Sequence, residues 1–382
     1  MLFKVRMNRK ARNVLLAMAV WMSAVPLTAQ SGQSAQSGQD EGYWAKDLIS
    51  RFKFNGYAQA GYTYTRQDGK NSNTLDIKRT LLWVKAQVTD RWSFLFMHDF
   101  SSVVQEFYTD YRITSDKSLT VRFGQFKNQL SMENPYSPTV CELIDVYSQA
   151  VTYLTGCGSD PLYGVQYGRD LGIELYGQLF DDRLYYNVQL LNGSGINRKD
   201  EDNKKDIIVK LDYRPLKGLK LVASAQKGYA TAVATSTLCP SIEVGDCYRR
   251  DRWTIGAEYK TKGGQTDYWK DRCLSVRGEV LGGRDGDIHS WGAYAVTSVP
   301  IIGQLDAIAS VDYFCGAKDI EYWTPAGGGT LYEDYEKDQT NLVAGLQYWF
   351  FRKCRVQAQY TWSNSWDHGT YSRIQIQTQI AF

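Results

Sequence analysis

The strongest constraint on the fold is an alternation of apolar and polar residues that recurs along most of the chain after residue 50. In the last segment, Ile374 and Ile376 share one parity, whereas Gln375 and Gln377 share the other. Because successive side chains of a strand point to opposite faces, such a segment predicts a strand with one apolar and one polar face. We count about sixteen of these segments. They cover 52–65, 74–88, 91–101, 105–114, 119–127, 170–180, 183–192, 205–214, 218–229, 251–262, 271–283, 288–300, 303–316, 338–351, 354–366 and 370–382.

The connections between these segments favour a membrane barrel over a soluble sandwich. Connections on one side are short, such as "DD", "PLKG" and "IIG", whereas the other side includes the long segments 128–169, 230–250 and 317–337. Short turns on one side and long loops on the other are typical of outer-membrane barrels. The aromatic content of 14% suits the headgroup level of a bilayer, although a sandwich core would also use it. We therefore predict an all-β fold, a transmembrane antiparallel β-barrel of about 16 strands.

The N-terminal residues indicate export. Five basic residues precede the apolar run "VLLAMAVWMSAVPL", and we expect cleavage after Ala29 of a signal peptide that covers 1–29. The run is shorter than the ~20 residues of a spanning helix. Its removal leaves 39 Lys and Arg against 41 Asp and Glu, a formal charge of −2 instead of +3, so charge does not support nucleic-acid binding. We expect a flexible leader at 30–50, a barrel domain at 51–382, and location in a bacterial outer membrane among its lipids.

The seven cysteines suit loop disulfides in an exported protein. Cys239 and Cys247 flank one turn-rich stretch, and Cys141 and Cys157 flank another irregular segment, so these are the candidate pairs. Metal ligation is disfavoured because none of the three histidines lies at helical or hairpin spacing from a cysteine pair. We expect no metal and no cofactor.

Charged residues on the polar parity of the predicted strands are candidates for the channel lining. For each of them, a cross-strand ion pair that holds the barrel is the alternative to a role in selectivity. Arg79, for example, could pair with Asp99 or Asp110 and so be neutralised. The candidates for the lining and constriction are Arg79, Lys85, Asp99, Asp110, Arg112, Arg122, Lys127 and Glu133.

The connection after the fifth strand is the most distinctive loop. It is about forty residues long, and loops of this length are usually functional or disordered. It contains Glu133, follows Lys127, and carries the only helix signal, "PTVCELIDVYSQAV". We expect this long loop to fold inward and to narrow the channel beside Lys127, Arg79 and Arg122, which would favour anions.

Several segments together resemble the phosphate-selective porin O and P family. They are "IKRTLLWVKAQV" at 77–88, "WSFLFMHDF" at 92–100, "GQFK" at 124–127, "ENPYS" at 133–137, "GRDLGIELYGQL" at 168–179 and "YYNVQLLNGSGIN" at 185–197. The resemblance implies a sixteen-stranded homotrimeric porin in which basic residues, here Arg79, Lys127, Lys78 and Arg169, lead anions through a constriction. Adjacent Lys78 and Arg79 can both face the lumen only if the strand has a bulge.

Three functions remain open from the sequence. The first is passive diffusion of small polar solutes and anions through a water-filled lumen, which needs no catalytic residue. The second is a plugged structural or adhesion barrel. The third is a barrel enzyme, which would need an oriented histidine; His98, His289 and His368 lie in no recognisable catalytic motif.

Overall fold

The computed structural model describes residues 50–160, 162, 164–200, 202–235, 241–262, 269, 272–318, 322–323, 330–331, 337–365 and 369–382. The predicted signal peptide and nearly all of the predicted leader lie outside these residues, so both stay predictions. Residues 51–382 form one compact unit.

This unit is a closed antiparallel barrel of sixteen strands, in which each strand pairs with its neighbours along the chain. The predicted fold class is thereby confirmed. The strands are β1 (Phe52–Gln67), β2 (Lys70–Gln87), β3 (Trp92–Asp99), β4 (Val104–Arg112), β5 (Thr120–Lys127), β6 (Arg169–Leu179), β7 (Leu184–Leu191), β8 (Asp206–Leu216), β9 (Leu219–Thr231), β10 (Cys247–Lys260), β11 (Ser275–Asp285), β12 (Ile288–Ile302), β13 (Leu305–Lys318), β14 (Lys337–Phe351), β15 (Cys354–Ser365) and β16 (Gly369–Ala381). Two short two-stranded sheets, Ser159–Asp160 with Gly164–Val165 and Tyr322–Trp323 with Thr330–Leu331, lie in the connections.

The two faces of the strands differ as the alternation predicts. On β16, the outward Ile374 and Ile376 are each 46% exposed, whereas the inward Gln375 and Gln377 are 2% and 1% exposed. A water-exposed row of isoleucine would be costly, but in a lipid environment the apolar outer face is solvated by acyl chains and the polar groups turn inward. The outer surface of this barrel is therefore the lipid-facing surface.

The barrel closes between β1 and β16. The backbone of Phe382 donates to Gly56 O at 3.0 Å and accepts from Gly56 N at 3.3 Å. A Cβ at Gly56 would lie 2.7 Å from Leu81 O and 2.7 Å from a ring carbon of Phe382. Gly56 therefore lets the aromatic ring of Phe382 cover the seam.

The connections also follow the predicted asymmetry, with one difference in the first hairpin. β8 and β9 are joined by two residues, 217–218, whereas β5 and β6 are joined by 128–168. β2 begins at Lys70, four residues before the predicted start at 74. Its first residues are polar and exposed, so they lack the alternation of a membrane strand although they continue the pairing with β1.

In its described residues, the loop 128–168 contains one short helix, α1 (Gln149–Thr155). Ser148 caps it, because its side chain accepts from Val151 N. The helix signal at 138–151 predicts a helix that would begin earlier. Val146 has φ 75°, which a right-handed helix cannot include, so the chain becomes helical only after it. No helix among the described residues is long and apolar enough to cross a membrane.

Candidate channel lining and loop contacts

Arg122 on β5 lies between two carboxylates of neighbouring strands. Its Nε donates to Asp110 Oδ1 at 2.7 Å, and its Nη1 lies 2.9 Å from Glu174 Oε2. The three residues are directly opposed in the register of β4, β5 and β6. The guanidinium also covers the ring of Tyr108, 3.9 Å from its centroid. Arg122 is therefore neutralised within a cross-strand ladder, which is the structural alternative expected for such pairs.

Arg79 on β2 is not part of such a ladder. Its Nη1 donates to Gln59 Oε1 at 3.1 Å, and among the described residues no carboxylate lies within ion-pair distance of it. Asp99 instead accepts from Thr80 N and Ser101 N, each at 3.1 Å, and so holds the connection between β3 and β4. The alternative that pairs Arg79 with Asp99 or Asp110 is therefore wrong.

A bulge places two adjacent basic residues beside the same position of β1. Gln59 pairs with Arg79 and Ala60 pairs with Ile77, so Lys78 is the extra residue of β2. A bulge of this kind directs two successive side chains to similar sides of the sheet. Lys78 Nζ accordingly lies 3.9 Å from Asp145 Oδ1 of the loop 128–168.

Lys127 holds the start of that loop. Its Nζ donates to Asn134 O at 2.8 Å and to Tyr136 O at 2.7 Å, both within the "ENPYS" segment. Arg169, opposite Lys127 in the register of β5 and β6, pairs with Glu106 at 2.9 Å. The charge of Lys127 is thus used to fasten loop carbonyls, a role that sequence spacing does not reveal.

Glu133 is fully buried and pairs with Arg277 of β11. Arg277 Nη2 lies 2.9 Å from Glu133 Oε1, and its Nη1 contacts Glu142 of the same loop. Burial raises the pKa of Glu133 from its ordinary 4.5 to about 7, and the attraction of Arg277 opposes this shift. One guanidinium therefore faces two loop carboxylates, one of which is poised to hold a proton.

Further contacts fasten the loop to distant strands. Glu279 of β11 accepts from Met132 N at 2.9 Å and from Ser131 Oγ at 2.7 Å. Arg355 of β15 donates to Cys141 O at 2.7 Å. The alternation of polar and apolar residues predicts that Glu279 and Arg355 point inward. It does not predict which loop atoms they contact, because the loop sequence has no periodic pattern.

An apolar cluster joins α1 to the inward face of β11–β13. Val151 and Leu154 of α1 are buried with Leu281, Tyr294 and Phe314, which lie on the parity that is polar elsewhere. Burial of such side chains contributes roughly 1.5–3 kcal/mol each. The cluster packs α1 against apolar side chains of these three strands.

Lys85 and Arg112 lie near short turns. Lys85 is exposed and pairs in register with Lys53 of β1, so both ammonium groups are solvated. Arg112 is half-buried at the end of β4. Among the described residues, neither of them forms an ion pair with Glu133 or a hydrogen bond with Lys127.

The predicted bridge between Cys141 and Cys157 is absent, since both are buried free thiols. The Cys157 sulfur donates to Asn134 Oδ1 and accepts from Thr155 Oγ1, whereas the Cys141 sulfur donates to Ser137 O. The two thiols thus have different polar partners in the packed loop. Cys239 lies outside the described residues, so its bridge to the exposed Cys247 stays a prediction.

A closed sixteen-stranded barrel with an apolar outside and a polar lining is the architecture of an outer-membrane porin. The family model described as phosphate-selective porin O and P matches residues 52–242, which is half of the chain. The chain belongs to this family. It is accordingly an outer-membrane channel protein. No curated protein sequence matches it.

Solved porin structures have the same fold. An anion-selective porin from Comamonas acidovorans is 12% identical, with a TM-score of 0.58, and the match covers 87% of this chain and 99% of that one. Salmonella typhi OmpF in complex with daunomycin is 13% identical, with a TM-score of 0.57 over 87% and 97% of the two chains. The trimer form of Vibrio cholerae OmpT is 13% identical, with a TM-score of 0.55 over 87% and 99%.

Proposed function

We propose that the protein is a passive diffusion channel for small polar solutes and ions, with a preference for anions. The preference for anions rests on the hydrogen-bond partner of Arg79. Its guanidinium donates to the side-chain amide of Gln59 instead of pairing with a carboxylate, so its positive charge is not cancelled by that partner. Lys78 lies beside it at the bulge, and among the described residues neither of the two basic groups forms an ion pair with a carboxylate of the barrel strands. Where the channel is narrow and partly desolvated, a few basic side chains act strongly on a permeant ion. Their effect there outweighs the slight excess of acidic residues in the mature chain as a whole.

The narrow level is formed by the loop 128–168, which folds inward. Support comes from its contacts with inward side chains of β11 and β15, strands that are far from its roots on β5 and β6. A loop that passed over the outside of the barrel could not reach Glu279 and Arg355 together. The lining predicted from the sequence is revised accordingly: Arg79 faces the permeant ion, whereas Lys127 and Glu133 position the loop.

The protein acts as a homotrimer in the outer membrane. Among the structural relatives, Vibrio cholerae OmpT has a trimer form and the Comamonas acidovorans porin is anion-selective. A trimer suits a barrel with an apolar outer face, because apolar side chains can pack between subunits as well as against lipid. Crosslinking of the purified protein, followed by mass measurement, tests the trimer; a monomeric mass in mild detergent would refute it.

The channel assignment is tested by reversal potential in a planar bilayer under a salt gradient. An anion-preferring potential that weakens in Arg79→Gln supports the proposal. A cation-preferring native channel would contradict the anion preference, and a protein that inserts without conductance would contradict the channel itself.

A plugged barrel is the second candidate, because the apolar cluster around α1 excludes water from part of the lumen. It predicts insertion without conductance. An enzyme is disfavoured by the family and fold. The ring of His98 contacts Phe100, and His289 is exposed on another strand, so the two described histidines do not share a site.

A further inference from the structure

Asp145, near the middle of the loop 128–168, is held by side chains of β2 and β16, the two strands that flank β1 in the barrel. Its Oδ2 contacts Arg373 Nη2, and its Oδ1 accepts from Gln375 Nε2 at 2.9 Å. Lys78 Nζ, from the bulge of β2, lies 3.9 Å from the same Oδ1. We call Lys78, Arg373 and Gln375 the seam cluster. It binds a carboxylate that the protein itself provides.

The seam cluster differs from the other ion pairs of the loop in its access to solvent. The side chain of Asp145 is 41% exposed, whereas the carboxylates that bind Arg277 are 0% and 10% exposed. An exposed carboxylate on a loop gains little from pairing, because water competes for both partners. Asp145 can therefore leave the seam cluster without exposing an apolar core.

The seam cluster also offers more donors than Asp145 uses. Arg373 Nε is buried and donates to no atom among the described residues. Asp76 lies two residues before Lys78 on β2 and brings a second negative charge to this wall, so the local balance with Lys78, Arg79 and Arg373 is one positive charge. Replacing Asp145 by a neutral side chain would raise it to two.

We infer that the seam cluster is a binding site for small carboxylate anions, and that Asp145 occupies it as a built-in competitor. This inference rests on the proposed anion-preferring channel. A permeant carboxylate displaces the Asp145 side chain and takes over its hydrogen bonds to Arg373 and Gln375. A dicarboxylate supplies further acceptor oxygens for Arg373 Nε, so it binds more tightly than a monocarboxylate.

Asp145→Asn tests the competition, with succinate as the probe. The change removes the internal carboxylate, so we expect succinate to bind the purified protein roughly three- to tenfold more tightly, measured by titration calorimetry in detergent. The same variant should show block of chloride current at correspondingly lower succinate concentration. Asp145→Asn combined with Arg373→Gln should lose the gain.

Asp181→Asn is the matched control. Asp181 is exposed in the short turn before β7 and has φ 52°, a conformation that asparagine also adopts, so the same unit of charge is removed away from the seam cluster. Equal affinity in Asp145→Asn and the native protein would overturn the inference, as would an equal gain in Asp181→Asn. A gain in binding by a barrel that does not conduct would instead refute the channel and leave the carboxylate site standing.

Discussion

Glu133 and Arg277 lie 144 positions apart in the chain, yet their side chains meet at 2.9 Å and both are buried. The first belongs to the loop 128–168 and the second to the inward face of β11. Breaking a buried ion pair by removing one partner commonly costs about 3–5 kcal/mol. This contact is therefore a main attachment between the loop and the wall, and the burial of Glu133, which raises the pKa of its carboxyl, makes the contact sensitive to protonation.

The attachment should weaken as the pH rises. The pKa of Glu133 is raised from 4.5 to about 7 in the folded protein, so the docked loop binds more protons than the undocked loop between these values. Stability from this group is full below pH 4.5 and is lost as the pH rises through 7, by on the order of 3 kcal/mol at most. We expect the thermal midpoint to fall, and channel fluctuations to increase, between pH 5 and pH 8.

Glu133→Gln separates this effect from the titration of other groups. Glutamine resembles the protonated carboxyl and leaves the pair of Arg277 and Glu142 in place, so the variant should keep the low-pH behaviour across the whole range. If Glu133→Gln shows the full native pH dependence, Glu133 is not the titrating group.

Arg79 should carry more of the ion preference than Arg122. The electrostatic interaction energy between a unit charge and an ion 4 Å away is about 1 kcal/mol in water. Removal of this charge in Arg79→Gln should therefore lower the ratio of anion to cation permeability roughly three- to fivefold. The measurement is the reversal potential in a salt gradient.

The control for Arg79 is the double variant Arg122→Gln with Asp110→Asn. It removes one positive and one negative charge from the paired ladder, so the net charge of the lining is unchanged and the reversal potential should stay at the native value. A larger shift in this double variant than in Arg79→Gln would assign selectivity to the ladder.

The loop thiols should resist alkylation in the folded protein. Burial raises the pKa of Cys141 to about 12 and that of Cys157 to about 11, and the thiolate is the reactive form. Iodoacetamide at pH 8, followed by mass spectrometry, should modify neither until the barrel is unfolded. Labelling of Cys247 only after reduction would support its bridge to Cys239; rapid labelling of Cys141 would show that the loop is not packed.

The strands could be predicted from the sequence because one face of each strand contacts lipid and the other faces the polar interior of the barrel. Ile374 is apolar and exposed because it faces lipid, and Gln375 is polar and buried because it faces the interior. The alternation in polarity therefore predicts both the strand and which of its faces points outward. The signal fails where a strand leaves the bilayer. Lys70 and its neighbours pair with β1 in water, where neither face needs to be apolar, and the prediction begins four residues too late.

The contacts of the candidate site could be predicted only in part. The adjacent Lys78 and Arg79 indicate a bulge, because two successive residues cannot face one side of a regular strand, and the register has that bulge. The pairing of Arg277 with Glu133 depends on the path of an irregular loop across the barrel. That path is set by many weak contacts and leaves no repeat in the sequence.

Substitution of Lys127 tests whether a basic residue at the start of the loop 128–168 acts through its charge or through its contacts with the loop. Its ammonium group donates to the carbonyls of Asn134 and Tyr136, so Lys127→Met leaves two inward carbonyls without this donor, at about 1–3 kcal/mol for each lost charged hydrogen bond. We expect larger and noisier conductance because the "ENPYS" segment is released, together with a lower thermal midpoint.

Lys85→Met is the matched variant for Lys127→Met. It removes the same charge from an exposed residue of β2 that faces Lys53, so it should change neither the conductance noise nor the thermal midpoint. If Lys127 acted as a selectivity charge, its removal would shift the reversal potential and leave the noise unchanged. If the reversal potential shifts without added conductance noise, Lys127 lines the channel and acts through its charge. If the noise rises while the reversal potential keeps its native value, Lys127 acts by holding the loop in place.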